Sequence, residues 1–445
     1  MSSIRMRDLG DRVRATYWFL PTLMTVLAAV FALVLFSVDQ AIPGNFLQDK
    51  WYIFRPENIA EARTLLTTIA SVSLSVIGVV FSIILVPLSI TATQYGSIVL
   101  RSFLRDRGTQ WVLGAYTSTT FYCLFLLLAL RTAGSQTAVQ FSVSVAVYML
   151  IISLLMLLYF FHHVADSLQA ASVIRVVSEE LEEVIKQEYS IHKPTFDAKQ
   201  IEVSELRQKL LHEGEGVEST GEGYVRAIDF NKLIGIATKR KIVLKIKCLP
   251  GDFVSRGDQL LMMLPGQGDK QIISTVNHAY MLGRNRTVLQ DIEYGITLIV
   301  IIAVRALSPA INDPYTPRLC LDRLGAALEM LAELATPRSY YLDRDEEVRV
   351  IGEPIGFERL VDVAFNMIRE YGRANAEVLM HMLAAIKSVS VHTHSADQKK
   401  ALLKHAKLID QDSRIGLPSK YDQQRVHASY EETLQAINQT YLSHV

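Results

Sequence analysis

Hydroxyl side chains recur along one stretch of the sequence at the spacing of a helix face. The steps alternate between four and three residues, with a final step of four, through Thr64, Thr68, Ser71, Ser75, Gly78, Ser82, Leu85, Ser89 and Thr93. At about 100° per residue, the hydroxyl-bearing members fall within an arc of roughly 60° on a helix. Hydroxyl oxygens can replace part of the hydration shell of an ion without holding it by a fixed charge. We call these positions the hydroxyl stripe; they are the candidate lining of an aqueous pore.

Two interpretations of the hydroxyl stripe remain open from the sequence. In the first, small side chains let helices approach closely, and hydroxyls donate to the carbonyl four residues earlier. In the second, the stripe faces water; since one helix cannot enclose a pore, several copies of the chain surround a symmetry axis. Leu85 is then a candidate gate and Pro87 a candidate kink. Alternatively, Leu85 packs against a neighbour and Pro87 only bends the helix.

The hydroxyl stripe belongs to the second of four charge-free apolar stretches. A bilayer is crossed by about 20 apolar residues, so these stretches predict transmembrane helices at about 16–38, 62–94, 110–131 and 138–161. The flanking basic residues are unevenly distributed. One side has Arg5, Arg7, Arg12, Arg14, Arg101, Arg105, Arg107 and Arg175, and the other has Lys50, Arg55, Arg63 and Arg131. The positive-inside rule therefore predicts that both termini lie in the cytoplasm.

The composition excludes several classes of protein. Among 445 residues, 45 basic side chains balance 45 acidic ones, and 50% of the residues are hydrophobic. A disordered chain is poorer in apolar residues, and a nucleic-acid-binding protein carries an excess of Lys and Arg. Cys123, Cys248 and Cys320 are too few and too scattered for a disulfide framework or a zinc cluster. We therefore expect no nucleic-acid partner, no metal and no cofactor.

The sequence after the fourth span predicts a mixed α+β region. With the transmembrane domain at 1–161, residues 162–222 predict a helical stalk and linker with a flexible turn at 213–223. Residues 223–283 predict a small β-module, because Leu244 and Ile246 alternate with Lys245 as in a half-buried strand. Residues 284–445 predict a helical domain. Its helices are expected around 296–304, 318–335, 356–371, 373–389, 398–411 and 421–443.

The segment Pro250–Leu264 (PGDFVSRGDQLLMML) predicts two strands joined by a tight glycine turn. It resembles the hairpin of lipoyl- and biotinyl-type barrel-sandwich modules, whose cofactor is carried by a lysine in a Met-Lys-Met-like turn. The sequence contains no such turn. The resemblance therefore implies a small β-barrel or sandwich-like module without its cofactor.

A short polar loop follows the predicted helix at 296–304. It places Arg305, Ser308, Asn312 and Asp313 around two prolines, and rigid loops often position binding groups. These four residues are a possible cytoplasmic ligand loop, in which Arg305 together with Arg284 and Arg286 could form an anion clamp. Alternatively, Asp313 or Thr316 caps the next helix.

Several long segments carry a resemblance to a known family. They are TQYGSIVLRSFLRDRGTQWVLGAY at 93–116, FHHVADSLQ at 161–169 and QDIEYGITLIVIIAVRALSPAINDPYT at 290–316, followed at 320 by CLDRL. With GDFVSRGDQLL, they resemble the bacterial membrane-protein family called "domain of unknown function 2254". The resemblance implies a multi-pass protein of the bacterial inner membrane and supplies no activity.

These observations together favour a homo-oligomeric ion channel with a cytoplasmic regulatory domain. The expected partners are the lipid bilayer, further copies of the chain and inorganic ions. A membrane-anchored ligand sensor or scaffold without permeation is the alternative. The sequence contains no Walker loop, no HExxH motif and no nucleophile elbow, so an enzyme is the least favoured class. The expected fold is a four-span α-helical membrane protein with a cytoplasmic α+β domain.

Overall fold

The structure is a computed structural model that describes residues 18–41, 56, 58–94, 107–132, 140–167, 169–190, 199–266, 268–334, 339–353 and 355–442. The chain divides into two compact units, residues 1–172 and residues 173–445. We call them the membrane unit and the downstream unit.

Four long helices make up the described part of the membrane unit. They are α1 (Phe19–Ala41), α2 (Ile59–Gln94), α3 (Arg107–Thr132) and α4 (Gln140–Ser167). Each contains a segment long and apolar enough to cross a bilayer, the shortest having 23 residues. As predicted, the described residues contain four helices with the length and the apolar composition of membrane spans.

Helix α3 lies at the centre of the membrane unit and packs against α1, α2 and α4. In its apolar segment 61% of the residues are buried, against 28% in each of the other three helices. Its mean hydropathy is also lower, 1.6 against at least 2.5. A helix surrounded by other helices contacts little lipid, so it can carry more hydroxyl and small side chains.

The downstream unit starts within one helix and continues with a second helix and a strand. Helix α5 (Ala170–Ser190) is amphipathic, and its apolar face buries Ile174, Val177, Leu181 and Ile185. Helix α6 (Lys199–Glu213) follows, and strand β1 (Glu215–Glu218) comes directly after it. The prediction of a flexible turn across 213–223 is therefore wrong at β1. The reason is tertiary, because Val217 is buried and the strand pairs with a later part of the chain.

Eight strands form two separate sheets in the described part of this unit. The remaining strands and the helices between them are β2 (Gly223–Ile228), α7 (Phe230–Arg240), β3 (Val243–Ile246), β4 (Phe253–Val254), β5 (Gln259–Leu264), α8 (Lys270–Ala279), β6 (Tyr280–Gly283), β7 (Tyr340–Leu342) and β8 (Val348–Ile351). One sheet has the order β1-β5-β3-β8-β7 and the other β4-β2-β6. All pairings are antiparallel except β3 with β8.

The predicted β-barrel or sandwich-like module is not supported. Strands β4 and β5 flank the expected tight turn, where Gly257 has φ +92°, but they belong to different sheets. Helices α7 and α8 interrupt the strand succession, and β8 enters the larger sheet from beyond residue 340. The alternation in β3 is confirmed, since Leu244 and Ile246 are buried.

The rest of the downstream unit is mainly helical. Its helices are α9 (Ile292–Ala306), α10 (Tyr315–Glu333), α11 (Phe357–Gly372), α12 (Ala376–Val391), α13 (Ala396–Gly416) and α14 (Lys420–Leu442). These bounds agree with the predicted helices, and α9 is buried over most of its length, as expected. The expectation of helix alone after residue 284 is wrong for β7 and β8, whose pairing partners lie far away in the sequence.

Helices α9 to α14 form a stack of three helical hairpins. Helices α9, α11 and α13 pack in one layer, and α10, α12 and α14 pack in a second. Three side-chain contacts between α10 and α12 all join residues 59 positions apart, namely Asp322 with His381, Glu329 with Ser388 and Glu333 with His392. A constant separation means that the two helices run parallel, as in α-solenoids, where each repeat packs on its neighbour.

Candidate pore-lining helix and downstream cleft

The hydroxyl stripe lies on the surface of the membrane unit and not in the interior of its helix bundle. All of its positions up to Ser89 are exposed within the chain: Thr64, Thr68, Ser71, Ser75, Gly78, Ser82, Leu85 and Ser89. The opposite face of α2 is buried and carries Ala62, Leu66, Ile69, Val80 and Ile84. The stripe therefore does not pack against the other helices of its own unit.

Four hydroxyls of the stripe donate hydrogen bonds to backbone carbonyls of their own helix. Thr64 donates to the carbonyl of Ala60 at 2.9 Å, and Thr68 donates to that of Thr64 at 2.8 Å. Ser75 and Ser82 make the same bond to Ser71 and Gly78, at 2.9 and 3.0 Å. These bonds use the hydroxyl hydrogen and leave the oxygen able to accept from outside.

The candidate gate residue Leu85 is exposed with the stripe, at 61% of its surface. Helix α2 continues past Pro87 to Gln94 without a break in secondary structure. The side chains of Pro87 and Thr93 lie outside the described part of the chain, as do Arg101 and Arg105. The gate and kink therefore stay predictions.

Among the described side chains on the buried face of α2, Ser73 is polar, and it was not among the residues predicted from the sequence. Ser73 is fully buried and continues the helical spacing of Leu66, Ile69 and Val80. Its position could have been read from that spacing, because one serine interrupts an otherwise apolar face.

Two charged residues near the ends of the spans form hydrogen bonds with other helices of the membrane unit. Asp39 accepts hydrogen bonds from the backbone N–H of Ser142 at 2.8 Å and from its hydroxyl at 2.5 Å, so it caps the start of α4. Arg63 donates from Nη2 to the carbonyl of Leu130 near the end of α3, at 2.9 Å. Sequence reasoning treated Arg63 only as a topology charge.

The possible ligand loop closes α9 and starts α10. Asp313 accepts from the backbone N–H of Tyr315 at 2.8 Å and from the hydroxyl of Thr316 at 2.5 Å. The cap therefore comes from Asp313, and Thr316 donates to it. Asn312 has φ +49°, and its N–H donates to the carbonyl of Ser308 at 2.8 Å. Arg305 lies partly buried at the end of α9, and a ligand role for the loop stays a prediction.

A polar cleft of about 470 Å³ lies elsewhere in the downstream unit. Its walls come from the turn before β4, the start of α9 and the start of α11. They include Leu249, Pro250, Gly251, Asp252, Arg286, Asp291, Glu293, Glu353, Ile355, Gly356 and Arg359. Of these, the sequence argument singled out only Arg286, as part of an anion clamp.

Asp291 organises this cleft. Its carboxylate is 1% exposed and accepts from Nε and Nη2 of Arg286 at 2.9 and 2.8 Å. It also accepts from the N–H of Tyr294 at 2.9 Å and thereby caps α9. Burial raises the pKa of Asp291, and the bonds from Tyr294 and Arg286 oppose that shift. Gly251, with φ +99°, approaches so closely that a Cβ there would lie 2.3 Å from the Asp291 carboxylate.

A second ion pair borders the same cleft. Arg359 donates from Nε and Nη2 to the Glu293 carboxylate at 3.2 and 3.0 Å. Helix α11 begins at the N-cap Gly356, which offers no side-chain cap. The cleft thus combines a helix N-terminus with two arginines and several carboxylates, which suits a small polar ligand carrying charge.

Comparison with known proteins defines the class. The family described as "Predicted membrane protein (DUF2254)" matches residues 14–388, and the chain belongs to this family. The match ends within α12, before the third hairpin of the stack.

Relatives in the family share moderate identity with this chain. Two proteins described as uncharacterized, from Mycobacterium bovis and from Mycobacterium tuberculosis strain H37Rv, are each 27% identical over 397 residues. Each alignment covers 87% of this chain and 74% of the relative. No solved structure matches the chain.

Proposed function

We propose that the protein is a homo-oligomeric ion channel of the bacterial inner membrane, in which copies of α2 line a central pore with the hydroxyl stripe. Both termini and the downstream unit lie in the cytoplasm in this proposal. The supporting observation is the exposure of the stripe on the membrane unit. A polar face that its own bundle does not cover is available to line an axis formed by several copies.

Gly78 also supports an arrangement in which several copies of α2 surround a pore. Glycine in a helix interior costs about 1 kcal/mol relative to alanine. In the described part of the chain, no atom lies within 4 Å of where a Cβ of Gly78 would be, so packing inside the unit does not require glycine. Close approach of a second copy, or a narrow aqueous passage, supplies a reason for the missing side chain.

The lining would be neutral, because the exposed stripe carries hydroxyls, a glycine and Leu85. Hydroxyl oxygens whose hydrogens are bonded within the helix are free to accept from water or to contact a cation. Leu85 would form an apolar ring on the axis, and such a ring can close a pore by expelling water.

Cysteine accessibility tests the position of the stripe. Ser75→Cys should react with a water-soluble methanethiosulfonate reagent in reconstituted vesicles, whereas Leu74→Cys should not. Leu74 is the matched control, because it neighbours Ser75 and is 62% exposed within the chain but lies beside the stripe. Both variants carry Cys248→Ser, since Cys248 is partly exposed while Cys123 and Cys320 are buried. Equal reactivity at 74 and 75 would contradict the proposal.

Conductance tests the gate. Leu85→Ser should raise basal current in planar bilayers at least several-fold, and Val72→Ser, about 140° away from Leu85 around the helix, should leave it unchanged. Silent bilayers for the wild type and for Leu85→Ser, with both proteins folded and oligomeric, would rule out permeation through this helix.

A second function, a membrane-anchored ligand sensor, is favoured by the cleft around Asp291. Its polar walls and its volume of about 470 Å³ suit a small molecule. Inorganic phosphate and adenosine monophosphate serve as first probes, because the start of α11 and two arginines border the cleft. A rise in melting temperature that Arg359→Gln abolishes, together with silent bilayers, would favour the sensor over the channel.

A further inference from the structure

The interior of the membrane unit is divided into two apolar clusters. One contains Ala70 of α2, Tyr122 of α3 and Ala146 of α4. The other contains Val80 of α2, Tyr116 of α3 and Phe160 of α4. The chain passes from the first cluster to the second along α2 and α4, and in the reverse direction along α3.

Five buried hydroxyl residues of the described chain lie between these clusters, and two of them, Ser118 and Thr120 on α3, donate to the carbonyls of Ala115 and Tyr116. Ser73 lies between Ala70 and Val80 on α2, and its side chain is 0% exposed. Thr119 on α3 and Ser153 on α4 are each 1% exposed and also lie between the cluster members of their helices. Ser73, Thr119 and Ser153 therefore lie between the same two clusters on three helices of the bundle. We call them the interior hydroxyl group.

Hydrogen-bond accounting leaves Ser73 unsatisfied. Thr119 donates its single hydroxyl hydrogen to the carbonyl of Ala115 at 2.8 Å. Its oxygen lies 3.1 Å from the Ser153 hydroxyl, so Ser153 is the donor in that pair. Within the described residues the Ser73 hydroxyl has no protein partner, although Ser75 on the same helix bonds to the carbonyl four residues earlier.

We propose that the interior hydroxyl group binds one water molecule inside each subunit. The Ser73 hydroxyl donates to the water, and the water donates to the Ser153 oxygen, whose own hydrogen points to Thr119. A buried water needs two to four polar partners, which this group supplies. A cation is disfavoured, because it would bring a full charge into the membrane interior among neutral hydroxyls.

This water site is independent of the proposed pore. Ser73 and Ser75 are two residues apart, which places them about 200° apart around the helix. Ser75 is exposed and Ser73 is buried. The interior site can therefore exist whether or not the hydroxyl stripe faces water.

The test is a comparison of melting temperatures for full-length protein in lipid nanodiscs. Ser73→Ala should lower the melting temperature by about 2 °C relative to Ser75→Ala, because the water loses a partner. Ser75→Ala is the matched control, since it makes the same change in helix propensity on the exposed face. Ser153→Ala should also lower it, and the double variant should lose less than the sum of the two, because both serines hold the same water.

The opposite sign would overturn the proposal. If the site is dry, Ser73→Ala removes a costly unsatisfied hydroxyl and should melt at or above the temperature of Ser75→Ala. Strictly additive effects of Ser73→Ala and Ser153→Ala would equally overturn it, because a bridging water couples the two. Neither outcome touches the cysteine-accessibility test of the pore.

Discussion

The two units bury polar side chains of different kinds. Among the described residues of the membrane unit, the buried polar side chains are neutral, such as Ser73, Thr119 and Ser153. In the downstream unit, buried polar groups include ionisable residues in pairs. Asp291 is bound by Arg286, and His405, which is fully buried, lies 2.7 Å from Asp362.

The difference follows from how each environment can compensate for the hydration that a charge loses on burial. A charge inside a bilayer loses its hydration and has no nearby water to recover it, so membrane helices favour groups that their own backbone can satisfy. The charged residues of the four helices accordingly lie near helix ends: Asp39, Glu61, Arg63, Arg107, Arg131 and Asp166. In a fold that is surrounded by water, a buried charge is tolerated when an oppositely charged group lies beside it.

The largest effect is expected from a substitution that breaks a charge pair in the downstream unit. Arg286→Leu leaves Asp291 buried without its cation and should lower the free energy of unfolding by about 3 kcal/mol. Chemical unfolding of the full chain in detergent, followed by circular dichroism, measures it. Arg359→Leu is the control, because the Arg359 side chain in its pair with Glu293 is 65% exposed and should contribute only about 0.5 kcal/mol. Similar losses in the free energy of unfolding for both variants would mean that the burial of Asp291 does not increase the cost of removing its arginine.

A smaller effect is expected from enlarging a buried hydroxyl residue. Ser73→Leu inserts two more heavy atoms into the closed interface of α2, α3 and α4 and should cost about 2 kcal/mol. Ser75→Leu on the exposed stripe should change stability by less than about 0.5 kcal/mol. Thermal unfolding of the two variants in nanodiscs gives the comparison. If Ser75→Leu were the more damaging change, the stripe would be packed against another copy of the chain.

The smallest effect concerns a carboxyl group in α5. Burial raises the pKa of Glu188 to about 7 from its ordinary 4.5, so the folded state favours the protonated form. Its stabilising contribution is complete below pH 4.5 and is lost as the pH rises through 7. Because Glu188 is still partly exposed, solvent screening reduces the size of the change.

Glu188→Gln should therefore flatten the fall in melting temperature of the downstream unit between pH 5 and pH 8. Scanning calorimetry of wild type and variant across this range measures the difference. Glu183→Gln, at an exposed position of the same helix, is the control and should leave the fall unchanged. A parallel fall in wild type and Glu188→Gln would assign the pH dependence to another group.

Much of the fold was predictable because it depends on local patterns. The four apolar stretches, the alternation around Lys245 and the helices from 292 onward are visible in short windows of sequence. The barrel-sandwich module was wrong because a local strand–turn–strand pattern does not say which strands pair. Strands β4 and β5 follow one another but join different sheets, and β3 pairs in parallel with β8 about 100 residues later.

The features of the candidate sites likewise divide into those that a local sequence pattern predicts and those that depend on tertiary contacts. The spacing of the hydroxyl stripe was evident from the sequence, but its exposure depends on which face of α2 packs on α3 and α4. The role of Asp313 as a cap was among the sequence alternatives, because capping is local. The cleft around Asp291 was missed, because Gly251 and Arg359 come beside it only through folding.

By itself, the sequence determined that this chain has four bilayer-length helices followed by a mixed and then helical region, since hydropathy and periodicity are properties of neighbouring residues. The tertiary structure alone decided that the hydroxyl stripe faces outward while Ser73 faces inward, and that Asp291 meets Arg286 under the Gly251 turn. The physical reason is that burial and pairing depend on residues far apart in the chain, whose proximity no local pattern specifies.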